Sequence, residues 1–273
     1  MASAQAKAAA TDVPRVLQKE DGDIEALFDR VAPRYDFLNH LLSGWMDVSW
    51  RRLLVQSAEV GESGQVLDCA TGTGDVLFEF FDQLPYTVGG IGIDFSTAML
   101  ERARKKAERL GYQDRALFTR ANLLEIPFTD EAFEAVTIAF GIRNVSDPAR
   151  AINEMVRVCR PGGKVLILEF MRQPPGLSRS LVRFYCRRVM PLVARLFGSD
   201  GSAYGYLNES IDAFMTPFDL LTQMEVCGLC ECRATNLFMG IATLHVGTKP
   251  MALGSPGMRA GKTISEEILD GLP

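Results

Sequence analysis

Two short stretches of the chain carry residues whose types and spacing suit chemistry. The first is "DCATGTGD", residues 68–75, where Asp68 ends a short apolar run and Gly72 and Gly74 follow in a turn. Glycines there let a ligand approach the backbone closely. Asp94 ends the next apolar run, 26 residues after Asp68. A carboxylate at that place can accept two hydrogen bonds from a ribose diol. The second stretch is "AVTIAFGIRN", residues 135–144, a core-like run that breaks at Gly141 and at once presents Arg143 and Asn144. The glycine turn lacks the third glycine of a dinucleotide fingerprint. Asp68 can orient the turn or meet a cationic group. The bland alternative is a tight turn plus an acid that caps a helix. The pieces together, in this order, point to a nucleoside cofactor.

Such residues need a scaffold that lines them up, and the surrounding pattern supplies one. Short apolar runs alternate with amphipathic stretches: "QVLDC", "VLFEFFDQL", "GGIGIDFS", "TAMLERARKKAERLG", "RALFTRANLLEIPF", "AVTIAFGI", "DPARAINEMVRVCRPGG" and "KVLILEF". Gly111 closes one helix, and Pro148 opens another that is expected to run to a sharp stop at Pro161. "KVLILEF" is nearly all apolar, as a buried parallel strand should be. Strand–helix alternation predicts an α/β fold with a doubly wound, mostly parallel sheet. Ligands bind such sheets outside the carboxyl ends of the strands. That rim holds residues 68–75, Asp94, Asn122 and 141–144. Beyond residue 216 a helix capped by Thr216, with Pro217 at its first position, leads to two strands, "CECRATNLFMG" and "IATLHVGTK". These predict a hairpin at the sheet's edge region.

The organisation expected is a mobile lead over residues 1–23, one domain over 24–249 and a peripheral tail over 250–273. Residues 24–59 form a helical cover, broken by Pro33 and Gly44 and rich in large apolar groups. Residues 177–215 interrupt the alternation as a lid or a membrane-facing insertion. With 273 residues, 47% apolar and 23% charged, the chain suits one globular α/β domain. A net charge of −5 disfavours broad nucleic-acid binding. The first 23 residues lack the apolar segment of a signal peptide, so the six cysteines are not expected to form a disulfide framework. Cys227, Cys230 and Cys232 look like half of a metal site, but only His40 and His245 exist to complete it. No metal is expected. No apolar run is long enough to span a bilayer.

These motifs resemble class I S-adenosylmethionine-dependent methyltransferases, and most closely the C-methyltransferases of menaquinone and ubiquinone biosynthesis. The resemblance covers roughly residues 24–249. It rests on "LDCATGTGD", "FGIRNV", "RPGG", "YGYLNESI" and "GIATLHVGTK". It implies a seven-stranded Rossmann-like sheet with an N-terminal helical cover and a C-terminal antiparallel hairpin. It implies S-adenosylmethionine as cofactor, held by Asp68, Gly72, Thr73, Gly74, Asp94 and Phe95, with Asn122 and Leu123 at the adenine. Ala139 stands where many relatives have serine, and Cys69 is expected to point into the core.

The reaction implied is methyl transfer to a ring carbon of a prenylated quinol, with demethylmenaquinol ahead of a ubiquinone precursor. Alternatives are a prenyl diphosphate, another small natural product, or a silent partner in quinone synthesis. A phenolate developing on the ring needs electrostatic support. Arg143 suits that role, or else it pairs with Asp147 or Glu169. Asn144 can orient the ring or a water. Tyr35 and Tyr206 lie in covering segments and can meet a quinol oxygen or form aromatic wall. His245 is expected to be structural. Residues 178–197 carry five arginines, no acid and many apolar side chains. They suit an anionic membrane surface, a homodimer interface or a lid. The protein is expected in the cytoplasm, either free or peripheral at the inner face of a membrane.

Overall fold

The computed structural model describes residues 40, 43–85, 87–172, 188 and 202–251, with the side chains of residues 201–206, 208 and 239 excepted. Tyr35, the lead, the tail beyond Met251, the first part of the helical cover and residues 178–187 and 189–197 lie outside the described residues. So does the side chain of Tyr206.

Seven strands form one sheet in the order β3-β2-β1-β4-β5-β7-β6. These are β1 (Gln65–Cys69), β2 (Gly89–Asp94), β3 (Ala116–Arg120), β4 (Phe133–Ala139), β5 (Cys159–Phe170), β6 (Cys230–Leu237) and β7 (Ala242–Thr248). The first five pair in parallel. β7 runs antiparallel to both β5 and β6. Helices α1 (Met46–Ala58), α2 (Asp75–Gln83) and α3 (Thr97–Leu110) cover one face, and α4 (Pro148–Val158) and α6 (Pro217–Val226) the other. A further helix, α5 (Ser202–Ala213), precedes α6.

Period-two side-chain alternation explains why a nearly all-apolar strand is needed at the centre. In β5, Leu166 and Leu168 face the α1–α3 layer while Val165 and Ile167 face α4 and α6, all four fully buried. Burial of each such side chain is worth about 1.5–3 kcal/mol. Helix ends follow the chemistry of their caps. Ser96 accepts from the Met99 amide at the start of α3, and Gly111 ends that helix with φ 78°. Asp147 caps α4 with Pro148 in its first turn. Thr216 and Asp219 cap α6 reciprocally.

Two expectations need correction. The helix of "DPARAINEMVRVCRPGG" ends at Val158, well before Pro161. Cys159 already pairs with Phe133, and pairing resumes at Ala135 with Lys164, so "RPGG" is an irregular opening of β5. Strand pairing captured the segment; Gly163 has no room for a Cβ, which would lie 2.6 Å from the Glu134 carbonyl oxygen. The C-terminal hairpin forms, with a short 3-10 turn over Phe238–Gly240, but β7 lies inside the sheet and β6 is the edge. His245 is therefore fully buried, and its Nε2 donates to the Pro217 carbonyl at 3.0 Å. Burial pushes its pKa down. Both facts fit the structural role expected of it.

Thr216→Ala removes the capping side chain of α6, and loss of about 1 kcal/mol of stability is expected. Urea denaturation measures it; an unchanged midpoint would mean that packing of Leu220 and Met224 alone sets this helix.

Candidate active site

The glycine turn leaves β1 at Cys69, which is fully buried as expected. Thr71 donates through Oγ1 to Asp68 Oδ2, and Thr137 of β4 donates to Asp68 Oδ1, both at 2.7 Å. Asp68 thus ties the turn and the neighbouring strand together from below. The Gly72 amide donates to Asp94 Oδ2 at 2.8 Å, and the Ser96 amide to Asp94 Oδ1 at 2.9 Å. One carboxylate fixes the turn and the start of α3. Gly72 has φ 56° and nothing within 4 Å of where a Cβ would stand, so open space borders it. Gly74 has φ 88° and packs under the Phe78 ring, which a Cβ would strike at 2.8 Å.

A cavity of about 330 Å³ opens at this rim. Of the residues expected to hold a cofactor, Gly72, Asp94, Phe95, Asn122, Leu123 and Ala139 line it. Asp68, Thr73 and Gly74 belong to the turn's support and are not on the wall. Its volume suits a small organic molecule. A ribose acid, an open glycine and the Asn122–Leu123 wall fit a nucleoside such as that of S-adenosylmethionine. Asn122 already uses Oδ1 to accept from the Leu124 amide at 2.9 Å.

Asn144 lines the same cavity, together with Phe140 and Gly141. It sits on the 3-10 turn Ile142–Asn144 that follows β4. Arg143 does not line the cavity. Of the two roles left open for it, the structure displays an ion pair: Nη1 donates to Glu169 Oε1 at 2.5 Å and to the Phe140 carbonyl at 2.7 Å. Its backbone amide donates to Glu169 Oε2 at 3.3 Å, while its buried Nε has no hydrogen-bond partner. Glu169 is fully buried, which raises its pKa against the lowering effect of Arg143. Asp147 serves as the α4 cap instead.

Several features of the site carry no sequence signal. Ala70 and Phe140, the residues just after β1 and β4, both adopt left-handed backbone at φ 49° and 57°. A non-glycine residue rarely does so outside strained or functional positions. Between them Gly141 lies so close to Ala70 that a Cβ would sit 2.6 Å from the Ala70 Cβ. Met99 and Arg120 also reach the wall. Behind the turn, Arg51 of α1 bonds Asp47 at 2.9 Å and reaches Asp75 at 3.6 Å. Lys106 of α3 pairs with the same Asp75, so two helices brace the start of α2. Cys227 and Cys230 donate to the carbonyls of Ala149 and Thr248.

Burial pushes the Asp68 carboxyl from 3.8 up to about 7, against the opposing hydroxyl bonds and with help from Asp94 and Asp75. The fold favours the neutral acid, so its contribution to stability is complete below pH 3.8 and is lost as pH rises through about 7. Asp68→Asn cannot titrate. Its thermal midpoint should rise relative to that of the parent protein between pH 5 and 8, and a constant difference across that window would refute the neutral buried acid. Glu169→Ala leaves Arg143 buried without its carboxylate, and a loss of about 3–5 kcal/mol in urea denaturation is expected. A loss below about 1 kcal/mol would be the value of a surface pair instead.

Comparison with known proteins identifies the family and the fold. The ubiE/COQ5 methyltransferase family matches residues 16–249. A ubiquinone/menaquinone biosynthesis C-methyltransferase UbiE from Geotalea daltonii is 41% identical over 233 residues, covering 85% of this chain and 99% of that one. A demethylmenaquinone methyltransferase from Thermus thermophilus is 42% identical over 224 residues, covering 82% of this chain and 100% of that one. Among solved structures, an S-adenosylmethionine-dependent methyltransferase from Aquifex aeolicus superposes with a TM-score of 0.53 at 16% identity, over 72% of this chain and 88% of that one; it shares the fold. The chain belongs to the ubiE/COQ5 methyltransferase family and is an S-adenosylmethionine-dependent methyltransferase.

Proposed function

We propose that the protein C-methylates a prenylated quinol, with demethylmenaquinol as the leading acceptor. The observation that supports this most directly is that one cavity runs from Asp94 and Asn122 to Phe140 and Asn144. Residues suited to a nucleoside and residues of the "FGIRN" turn thus share one wall. Similarity to the Thermus thermophilus protein over its entire length favours the menaquinone acceptor.

When bound, S-adenosylmethionine supplies a methyl group on a sulfonium sulfur. Asp94 accepts the ribose hydroxyls, and Gly72 gives the ligand access to the backbone. Asn122 and Leu123 flank the adenine, while Asp68 and Thr73 keep the turn in place. A ring carbon of a quinol becomes nucleophilic as its phenolic proton leaves. Asn144 holds the ring oxygen or the water that takes this proton. Arg143 acts through its field on the developing oxyanion. Its charge is shared with Glu169, and its main chain fixes the turn that carries Asn144. Tyr35 and Tyr206, in the covering segments, are proposed as further contacts to the acceptor. Residues 178–197 are proposed to meet the anionic membrane surface where a prenylated acceptor resides. Among the described residues no helix is long and apolar enough to cross a membrane.

The test is direct. Labelled S-adenosylmethionine is incubated with reduced demethylmenaquinone, a demethylated ubiquinone precursor and a prenyl diphosphate in parallel. Mass of the products is expected to show methyl on a naphthoquinol carbon; methylation of the diphosphate alone would overturn the proposal. Asp94→Ala should weaken cofactor binding about 10- to 100-fold in calorimetry, as expected for lost bonds to a charged group. Asn144→Ala should leave that affinity within about threefold yet lower kcat about a hundredfold, as for a lost oxyanion donor. An equal fall in cofactor affinity would assign Asn144 to the cofactor instead.

A further inference from the structure

Three aromatic rings from three separate elements meet at the rim of the sheet. Phe140 follows β4, Phe170 ends β5 and Trp50 lies on α1. The Phe140 and Phe170 centroids are 4.6 Å apart, and Trp50 stands 6.2 Å from the first and 6.3 Å from the second. Trp50 is buried, whereas both phenylalanines are only half-buried. Phe140 is itself part of the cavity wall, beside Gly141 and Asn144.

The chain holds Phe140 in an unfavourable posture to achieve this. Its φ is 57°, strained backbone for a bulky residue. Its amide donates to the Leu168 carbonyl at 2.8 Å, and its own carbonyl accepts from Arg143 at 2.7 Å. The Arg143 guanidinium also lies over the Phe170 ring, 5.6 Å from its centroid. A tilted ring pair offers apolar aromatic surface to a planar ring, and the guanidinium beside it favours that ring more as negative charge develops. The adenine wall is elsewhere: Phe170 is three strand spacings from Asp94, roughly 14 Å along the sheet.

We propose that Phe140 and Phe170, backed by the buried Trp50, form the subsite for the aromatic ring of the methyl acceptor. This rests on the quinol acceptor proposed above.

The chain has two tryptophans, so Trp45→Phe leaves Trp50 as its sole reporter. In that background, 1,4-naphthohydroquinone kept reduced with dithionite is titrated while Trp50 emission is followed. Saturable quenching is expected. Phe170→Leu should raise the half-saturation about tenfold, and Phe170→Tyr should restore it to within about twofold. Cofactor affinity by calorimetry should stay within twofold throughout. The subsite is overturned by absence of quenching in protein that binds cofactor, by an unchanged half-saturation in Phe170→Leu, or by loss of cofactor binding in that variant, which would make the ring a packing residue. Quenching with the Phe170→Leu defect, but no methylated quinol in the product assay, removes the proposed reaction and keeps the aromatic-ring subsite. Methylation of a quinol with an acceptor KM indifferent to Phe170→Leu does the reverse.

Discussion

The hydrogen bond from the Gly72 amide to the Asp94 carboxylate sets the terms for the rest of this molecule. It joins the ends of two adjacent parallel strands across a turn that the bond from Thr71 to Asp68 also ties. For the bond to form, β1 and β2 must be neighbours in register, which Cys69 against Ile93 provides. The turn must also reverse within a few residues, which the positive φ of Gly72 and Gly74 permits. The second carboxylate oxygen is taken up by Ser96, so α3 starts at a fixed place. A charged group that faces the cavity is thereby prevented from wandering into it.

On the other side of β1 a different device operates. The strand order reverses between β1 and β4, and sheets of this type open a crevice at such a point. Here Ala70 and Gly141 touch across the crevice floor, and Asp68 links β1 to Thr137 of β4. Farther out, Arg143 and Glu169 lock the exit of β4 to β5. Removing two charges from water is costly, and such a pair gains little net stability. What it supplies is a single arrangement of the turn bearing Asn144.

Much of this is legible in the sequence, because it is local. The run "KVLILEF" can only be a strand buried on both faces, and Ser96, Gly111, Pro148 and Thr216 mark helix ends through their own side chains or backbone freedom. Asp94 and Asn122 are found by spacing, since strand ends in an α/β fold fall on one rim. What escapes is tertiary. Nothing about alanine or phenylalanine announces the left-handed backbone of Ala70 and Phe140. The irregular opening of β5 at Cys159 depends on Phe133, which pairs with it from β4. Arg143 reads first as an oxyanion donor, with an ion pair to Asp147 or Glu169 as the alternative, until Glu169 is found bonded to it. The interior position of β7 follows from an antiparallel insertion that a hairpin pattern does not specify.

That insertion has a consequence for how the protein is made. The first partner residue of β5 toward β7 is Lys164, and it pairs with Thr248. During synthesis the five parallel strands are complete while this apolar edge still awaits a strand that lies near the far end of the chain. Every residue of the intervening segment must emerge first. An open, apolar strand edge is a template for pairing with another chain. The nascent protein therefore passes through an interval in which β5 is an open edge, and arrival of "IATLHVGTK" is what covers it.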